Sequence, residues 1–178
     1  VAGSSFNGSN DDFALVRYNN DGTLDTTFGS GDGIVTTALG SGQNSACSVA
    51  IQADGKILVA GSSFNGSNDD FALVRYNNDG TLDTTFGSGD GIVATDFGAN
   101  TDYGQSMTVQ VDGKILVAGY SNNGSNDDFA LVRYNNDGTL DATFDSMPAN
   151  TLNGTPTFTE GGVAVVLDAD VQIFDAEL

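Results

Sequence analysis

A 58-residue internal repeat constrains this chain more than any other feature. Val1 to Thr37 matches Val59 to Thr95 at every position except Thr36 against Ala94, and the next copy begins at Val117. IQADGKIL at 51–58 recurs as VQVDGKIL at 109–116. The array runs from Val1 to about Phe144, where FGSGDGIV gives way to FDSMPAN. Self-similarity at a fixed period means stacked units, each burying its apolar face against its neighbours. The chain opens mid-pattern at Val1 without Met, so it is expected to be a fragment of a longer one.

One unit reads as four short strands. Ser45 to Gln52 alternates apolar with polar, Lys56 to Ser63 and Asp70 to Tyr76 are continuous apolar runs, and Ile92 to Phe97 is a weaker fourth strand. Ala53-Asp54-Gly55, Asn77 to Gly80 and Gly87 to Gly91 supply turns, because Asn, Asp and Gly tolerate left-handed backbone. No stretch sustains a 3.6-residue apolar period, so helices should be few. Unbroken apolar runs suit strands covered on both faces, as in a propeller blade between its neighbours. The expected fold is all-β: tandem four-stranded antiparallel units of a partial β-propeller, about two and a half blades, followed by a strand-rich tail. A β-solenoid is the alternative, but 58 residues is long for one coil.

Composition narrows the function. Lys and Arg total 5 against 24 acids, the formal net charge is -19, and there is no histidine. Such a chain should repel phosphate backbones and anionic membrane surfaces, so neither a nucleic acid nor a membrane is expected as a partner, and no apolar run is long enough to insert. Histidine-dependent triads and histidine metal ligands are excluded. The acid is nearly all aspartate, a turn former, with only Glu160 and Glu177 as glutamates. The single cysteine, Cys47, allows no internal disulfide and is expected to be a small buried hydrophobe.

DGKILVAG, DFALVRYNNDGTLDTTFG and DGIV resemble the delta-60 repeat, a β-propeller-like repeat of large bacterial surface and secreted proteins. The resemblance covers Val1 to Phe144 (residues 1–144) and implies an extracellular or cell-surface bacterial setting. It implies no catalytic residues. A propeller needs at least four blades to close, so the remaining blades of the same parent chain are the expected partners of these roughly two and a half. Residues 145–157 hold both prolines and read as a linker. Residues 158–178 are similar to the opening of cadherin-like domains of bacterial adhesins. That similarity implies Glu160, Asp175 and Glu177 as calcium ligands.

Several features of the array invite chemistry. In an antiparallel meander, the FNGSND loop shares a rim with the loop leading to the next unit. Asp11/Asp12, Asp69/Asp70 and Asp127/Asp128 would then lie on one rim with Asp102 nearby, a set of hard oxygen ligands for Ca²⁺. The other reading is solvated loop carboxylates, with each second Asp opening a strand. NNDGTLD superficially resembles a calcium loop, but alignment on its glycine puts Arg17, Arg75 or Arg133 at the first ligand position, so a β-turn is expected. GSGDG lacks the Lys and the helix of a phosphate loop and reads as a turn. Each Arg of DFALVRY sits in an apolar strand and should pair with an aspartate of its own unit; a ring of ligand-reading arginines is the sharper alternative. The sequons at Asn7, Asn65, Asn123 and Asn153 read as polar loops.

These readings give a non-catalytic structural and binding module with an unknown protein or glycan ligand, in an adhesin-type protein. The alternatives are a calcium-binding spacer and a propeller hydrolase or lyase using loop aspartates. Adjacent residues of a strand face opposite ways, so Asp69 and Asp70 would not act together, although carboxylates of neighbouring units could converge.

Overall fold

The computed structural model describes residues 1–98, 100–144, 166–168 and 171–172. Glu160, Asp175, Glu177, Asn153 and the 145–157 linker lie outside them. The chain divides into two compact units, Val1–Leu140 and Asp141–Leu178. The second contains a two-stranded antiparallel pair, Val166–Asp168 with Val171–Gln172.

The first unit is all-β among the described residues and contains three antiparallel meanders. The first blade comprises β1 (Ala2–Phe6), β2 (Asp11–Val16) and β3 (Ile34–Thr37). The second has four strands in order: β4 (Asn44–Ile51), β5 (Ile57–Phe64), β6 (Asp69–Tyr76) and β7 (Ile92–Thr95). The third comprises β8 (Asp102–Val109), β9 (Ile115–Asn122) and β10 (Asp127–Tyr134). These are the expected strands within one to two residues at each end. Every second-blade residue from Ile57 to Ser63 and from Asp70 to Tyr76 is buried.

The alternation of side chains along β5 and β6 divides them between two cores. Leu58, Ala60, Phe71 and Leu73 pack with Ile115, Val117, Val132 and Tyr134 of the third blade. Ile57, Val59, Ala72 and Val74 pack with Phe13, Leu15 and Phe28 of the first. Each fully buried Leu, Val or Phe stabilises this arrangement by about 1.5–3 kcal/mol, which is why both strands are apolar without interruption. Tyrosine hydroxyls cross the same junctions: Tyr76 donates to Thr37 Oγ1 at 2.8 Å, and Tyr134 lies 2.6 Å from Thr95 Oγ1. Burial pushes both phenols up to about 12, against the opposing effect of those threonine contacts.

Cys47 departs from expectation. It is exposed, not buried. The β4–β5 register passes from Ala46↔Gly61 to Ser48↔Ala60, leaving Cys47 as the extra residue of a β-bulge. Burial along β4 alternates without a break, and Cys47 lies on the outward face with Ser45, Val49 and Ile51; its residue type, not its place in the alternation, had suggested burial. Gln105 takes the equivalent place in β8, between Gly104↔Gly119 and Ser106↔Ala118.

The bulge explains a glycine. A Cβ on Gly61 would sit 1.9 Å from the Ser45 carbonyl oxygen, and one on Gly119 would sit 1.8 Å from that of Tyr103. Gly3 is the equivalent residue of β1 and has nothing within 4 Å. Gly61→Ala is therefore expected to cost about 3 kcal/mol through forced backbone displacement, whereas Gly3→Ala should change stability little. Urea unfolding of the two variants checks this; equal midpoints would refute it.

Candidate functional site

The charged groups of each unit divide into a structural set and a rim set. Arg75 leaves the end of β6 and pairs its Nε with Asp83 Oδ2 at 2.7 Å. Its guanidinium lies over the Phe86 ring, 4.4 Å from the centroid. Its Nη1 donates to the Asn136 carbonyl, in the NNDG turn of the next blade. Arg17 repeats the pattern with Asp25 at 2.8 Å, Phe28 at 4.5 Å and the Asn78 carbonyl. The expected ion pair within each unit is present in these two copies, and the same arginine also reaches across the junction.

The NNDG turns receive that reach. Gly80 N donates to Asn77 O at 3.0 Å and Thr81 N to Asp79 Oδ1 at 2.9 Å, a tight turn with an aspartate cap. Its glycine takes φ of 91° and lies so close to the first blade that a Cβ would stand 2.8 Å from Val35 and 2.9 Å from Phe28. Gly29 N, in the GSGDG segment, donates to Asp79 O at 2.8 Å, and Gly87 N donates to Asp137 O at 2.8 Å. Both glycine-rich motifs are thus turns that dock on each other across blade junctions.

Asp83 is a heavily engaged carboxylate. It is 2% exposed and accepts from Lys56 Nζ at 2.5 Å, Arg75 Nε at 2.7 Å, and Thr85 N and Oγ1 at 3.0 and 2.7 Å. Burial acts to raise its pKa, but the bonds from Lys56 and Thr85 and the charge of Arg75 outweigh it, holding the carboxyl well below the usual range.

The rim set lies in the loops. Asn65 Oδ1 accepts from Ser67 N and Asn68 N at 2.8 and 3.2 Å, while its Nδ2 donates to Asp70 Oδ2 at 3.0 Å. Asn7 and Asn123 bind Asp12 and Asp128 in the same way at 2.9 and 2.7 Å, so these sequon asparagines hold their loops together. Each strand opens at the first Asp of its pair, one residue earlier than expected. The second Asp is not a solvated loop carboxylate in the first two copies: Asp12 and Asp70 are 8% and 6% exposed. The six rim aspartates do not form one cluster, because each pair opens a strand of a separate blade. Asp11 offers its backbone N to Gln43 Oε1, Asp69 accepts from the Tyr103 hydroxyl at 2.8 Å, and Asp127 accepts from Asn122 Nδ2 at 2.7 Å.

Among the described residues, one acidic trio does converge. Asp70, Asp96 and Asp102 each bring a carboxylate oxygen within 4.8 Å of the others. Asp70 is the second residue of β6, Asp96 follows β7, and Asp102 begins β8 of the next blade. Burial raises the Asp70 pKa, and the charges of Asp96, Asp102 and Asp69 add to the rise against the bond from Asn65. Beside the trio, Tyr103 and Tyr120 stand 5.1 Å apart between ring centroids over a shallow groove that also includes Asn68, Asn122 and Asp127. The bond to Asp69 and then burial push the Tyr103 phenol up to about 12.

Residues 1–28, 52–86 and 110–144 match the family described as "Domain of unknown function (DUF5122) beta-propeller". These stretches cover more than half of the chain. The chain belongs to this β-propeller family. No curated protein matches it. The family description specifies no catalytic activity, and the propeller architecture it names agrees with the blades described above.

The matched stretches of this DUF5122 propeller contain the arginine clasp and the NNDG turns. Asp96, Asp102 and Tyr103 lie between them, in the connection that differs most among copies. Sequence reasoning placed Asp102 near Asp70 but missed Asp96, whose position in the preceding copy is Ala38. The available signal was that difference between otherwise matching units.

The buried ion-pair group should dominate the acid sensitivity of this propeller. Asp83→Ala is expected to cost about 3 kcal/mol, since it strands the buried Arg75, and Asp25→Ala, at the more exposed copy, should cost clearly less. Because the Asp83 pKa is lowered on folding, its contribution is complete above the ordinary carboxylate range and is lost as pH falls through the depressed value. Urea midpoints measured between about pH 7 and pH 2 should therefore fall less steeply for Asp83→Ala than for the parent chain. Parallel profiles would refute the assignment.

Proposed function

We propose that this propeller is a non-catalytic structural and binding module of a large secreted or surface-attached bacterial protein, with its ligand face at the Tyr103–Tyr120 groove. The supporting observation is where near-identical copies diverge. From Val59–Phe86 to Val117–Phe144 the sequence changes at Ser62→Tyr120, Phe64→Asn122 and Thr84→Ala142. Two of these three changes line the groove, and Tyr103 replaces Ser45 beside them. Paired tyrosines with amide and carboxylate groups at their edge suit a glycan, whose apolar face lies on aromatic rings while its hydroxyls bond polar groups. The rest of each unit is committed to holding blades together, which favours a scaffold presenting one differentiated rim.

The same reading assigns the blade ends. Phe129 and Leu131 are 61% and 40% exposed, whereas their equivalents Phe71 and Leu73 are both 1% exposed beneath the third blade. A further blade of the same parent chain, built like the others, is the natural cover for such a face. A cadherin-like start at residues 158–178 would suit the adhesin setting of this proposal.

A glycan array probed with the purified chain and with Tyr103→Ser and Tyr120→Ser tests the ligand face. Selective binding that falls at least tenfold in both variants is expected; binding unchanged by either, or no glycan bound, would refute it. A polysaccharide turnover screen with Asp12→Asn, Asp70→Asn and Asp128→Asn addresses catalysis. No turnover is expected, and turnover abolished by a single one of these changes would overturn the non-catalytic reading.

A further inference from the structure

We infer that Asp70, Asp96 and Asp102 form a calcium site at the junction of the second and third blades. Their carboxylate oxygens lie within 4.8 Å of one another. Asp70 and Asp102 are 6% and 0% exposed, so both are well over nine-tenths buried. Each leaves Oδ1 without a hydrogen-bond partner. Their other oxygens are used: Asp70 Oδ2 accepts from Asn65 Nδ2 at 3.0 Å, and Asp102 Oδ2 accepts from Phe97 N at 2.9 Å. Buried carboxylate oxygens facing like charges need a positive partner, and the charges that act on Asp70 are those of Asp96, Asp102 and Asp69. Asp96 is exposed, which leaves a route for an ion and for waters to complete its shell.

The first junction provides an internal comparison. There the positions equivalent to Asp70, Asp96 and Asp102 are Asp12, Ala38 and Asn44. Asn44 is neutral and well bonded: its Nδ2 donates to the carbonyls of Asp11 and Gly42 at 3.1 and 3.0 Å, and its Oδ1 accepts from Ser63 Oγ at 2.8 Å. Asp12 also leaves Oδ1 without a partner, but two carboxylates are missing around it. The second junction therefore replaces an alanine with a charge and an amide donor with a second buried charge. Such a change loses hydrogen-bond donors and gains acceptors only, which is the change a cation site requires. An all-oxygen, carboxylate-rich set with an open side suits a hard divalent ion, and its irregular arrangement favours Ca²⁺ over the strict octahedron of Mg²⁺. The ion would tie β6 and the β7–β8 connection of one blade to β8 of the next. This assignment is independent of whether the neighbouring groove binds a glycan.

The test is thermal unfolding of the whole chain, stripped with EDTA and then titrated with CaCl2 or MgCl2, with isothermal titration calorimetry alongside. The midpoint is expected to rise by roughly 5 °C at a hundredfold excess of Ca²⁺ over its Kd, with a smaller rise for Mg²⁺. Asp96→Ala combined with Asp102→Asn restores the residues of the first junction. It should abolish the Ca²⁺ shift and the calorimetric signal while leaving the EDTA-treated midpoint equal to or above that of the parent. A parent midpoint that does not move up to about 10 mM Ca²⁺ would overturn the site. So would a Ca²⁺ shift that persists in the double variant.

Discussion

The arginine at the end of each DFALVRY strand is the contact on which the array depends. A blade sandwiched between two others must close its polar strand ends without water. Arg75 does this with one side chain: its Nε meets Asp83, its plane covers Phe86, and its Nη1 reaches the turn of the following blade. Guanidinium suits this task because it is planar, always charged and carries several donors in fixed directions. The pairing with Asp83 removes the cost of burying the arginine, and Lys56 shares the same carboxylate oxygen. Packing of apolar strands gives the blades their cohesion, while this clasp ties the end of one blade to the turn of the next.

That division explains which sequence elements are repeated without change. NNDG must remain because Gly80 presses against Val35 and Phe28 of the preceding blade. Phe86 and Phe28, both 0% exposed, must remain as the floor beneath the arginine. The stretches that match the propeller family are these same elements, together with the two inner strands. The segment from residue 96 to 108 carries no part of the clasp. It was free to acquire Asp96, Asp102 and Tyr103 without disturbing the interlock.

Most of the architecture was legible because short-range rules governed it. Unbroken apolar runs at 57–63 and 70–76 announced strands covered on both faces, and Asn-Asp-Gly clusters announced the turns. The ion pair within a unit followed from the cost of an unpaired arginine in an apolar strand. What escaped depended on relations between strands. Cys47 is the exception: it was read as buried from its residue type, whereas strand alternation puts it outward with Ser45, Val49 and Ile51. The reach of Arg17 to Asn78 escaped because a repeat shows which residues are equivalent but not which copies touch. The grouping of rim acids was half legible: the meander placed Asp102 near Asp70, but Asp96 came from the connection after β7, and the other Asp-Asp pairs open strands of separate blades.

A nearly exact repeat has a consequence for function. Identical copies generate identical surfaces, and identical surfaces give avidity but no distinguished site. Specificity has to enter where the copies differ, and the positions free to differ are those the interlock does not use. In this chain those positions fall together: Asp96 and Asp102 meet across a junction, with Tyr103 and Tyr120 beside them. Tyr103 also joins the two groups physically, since its hydroxyl bonds Asp69, the neighbour of Asp70. A charge change in the acidic trio would therefore reach the tyrosine pair through one hydrogen bond and one backbone step. The differentiated rim is best understood as a single local elaboration of an otherwise uniform scaffold.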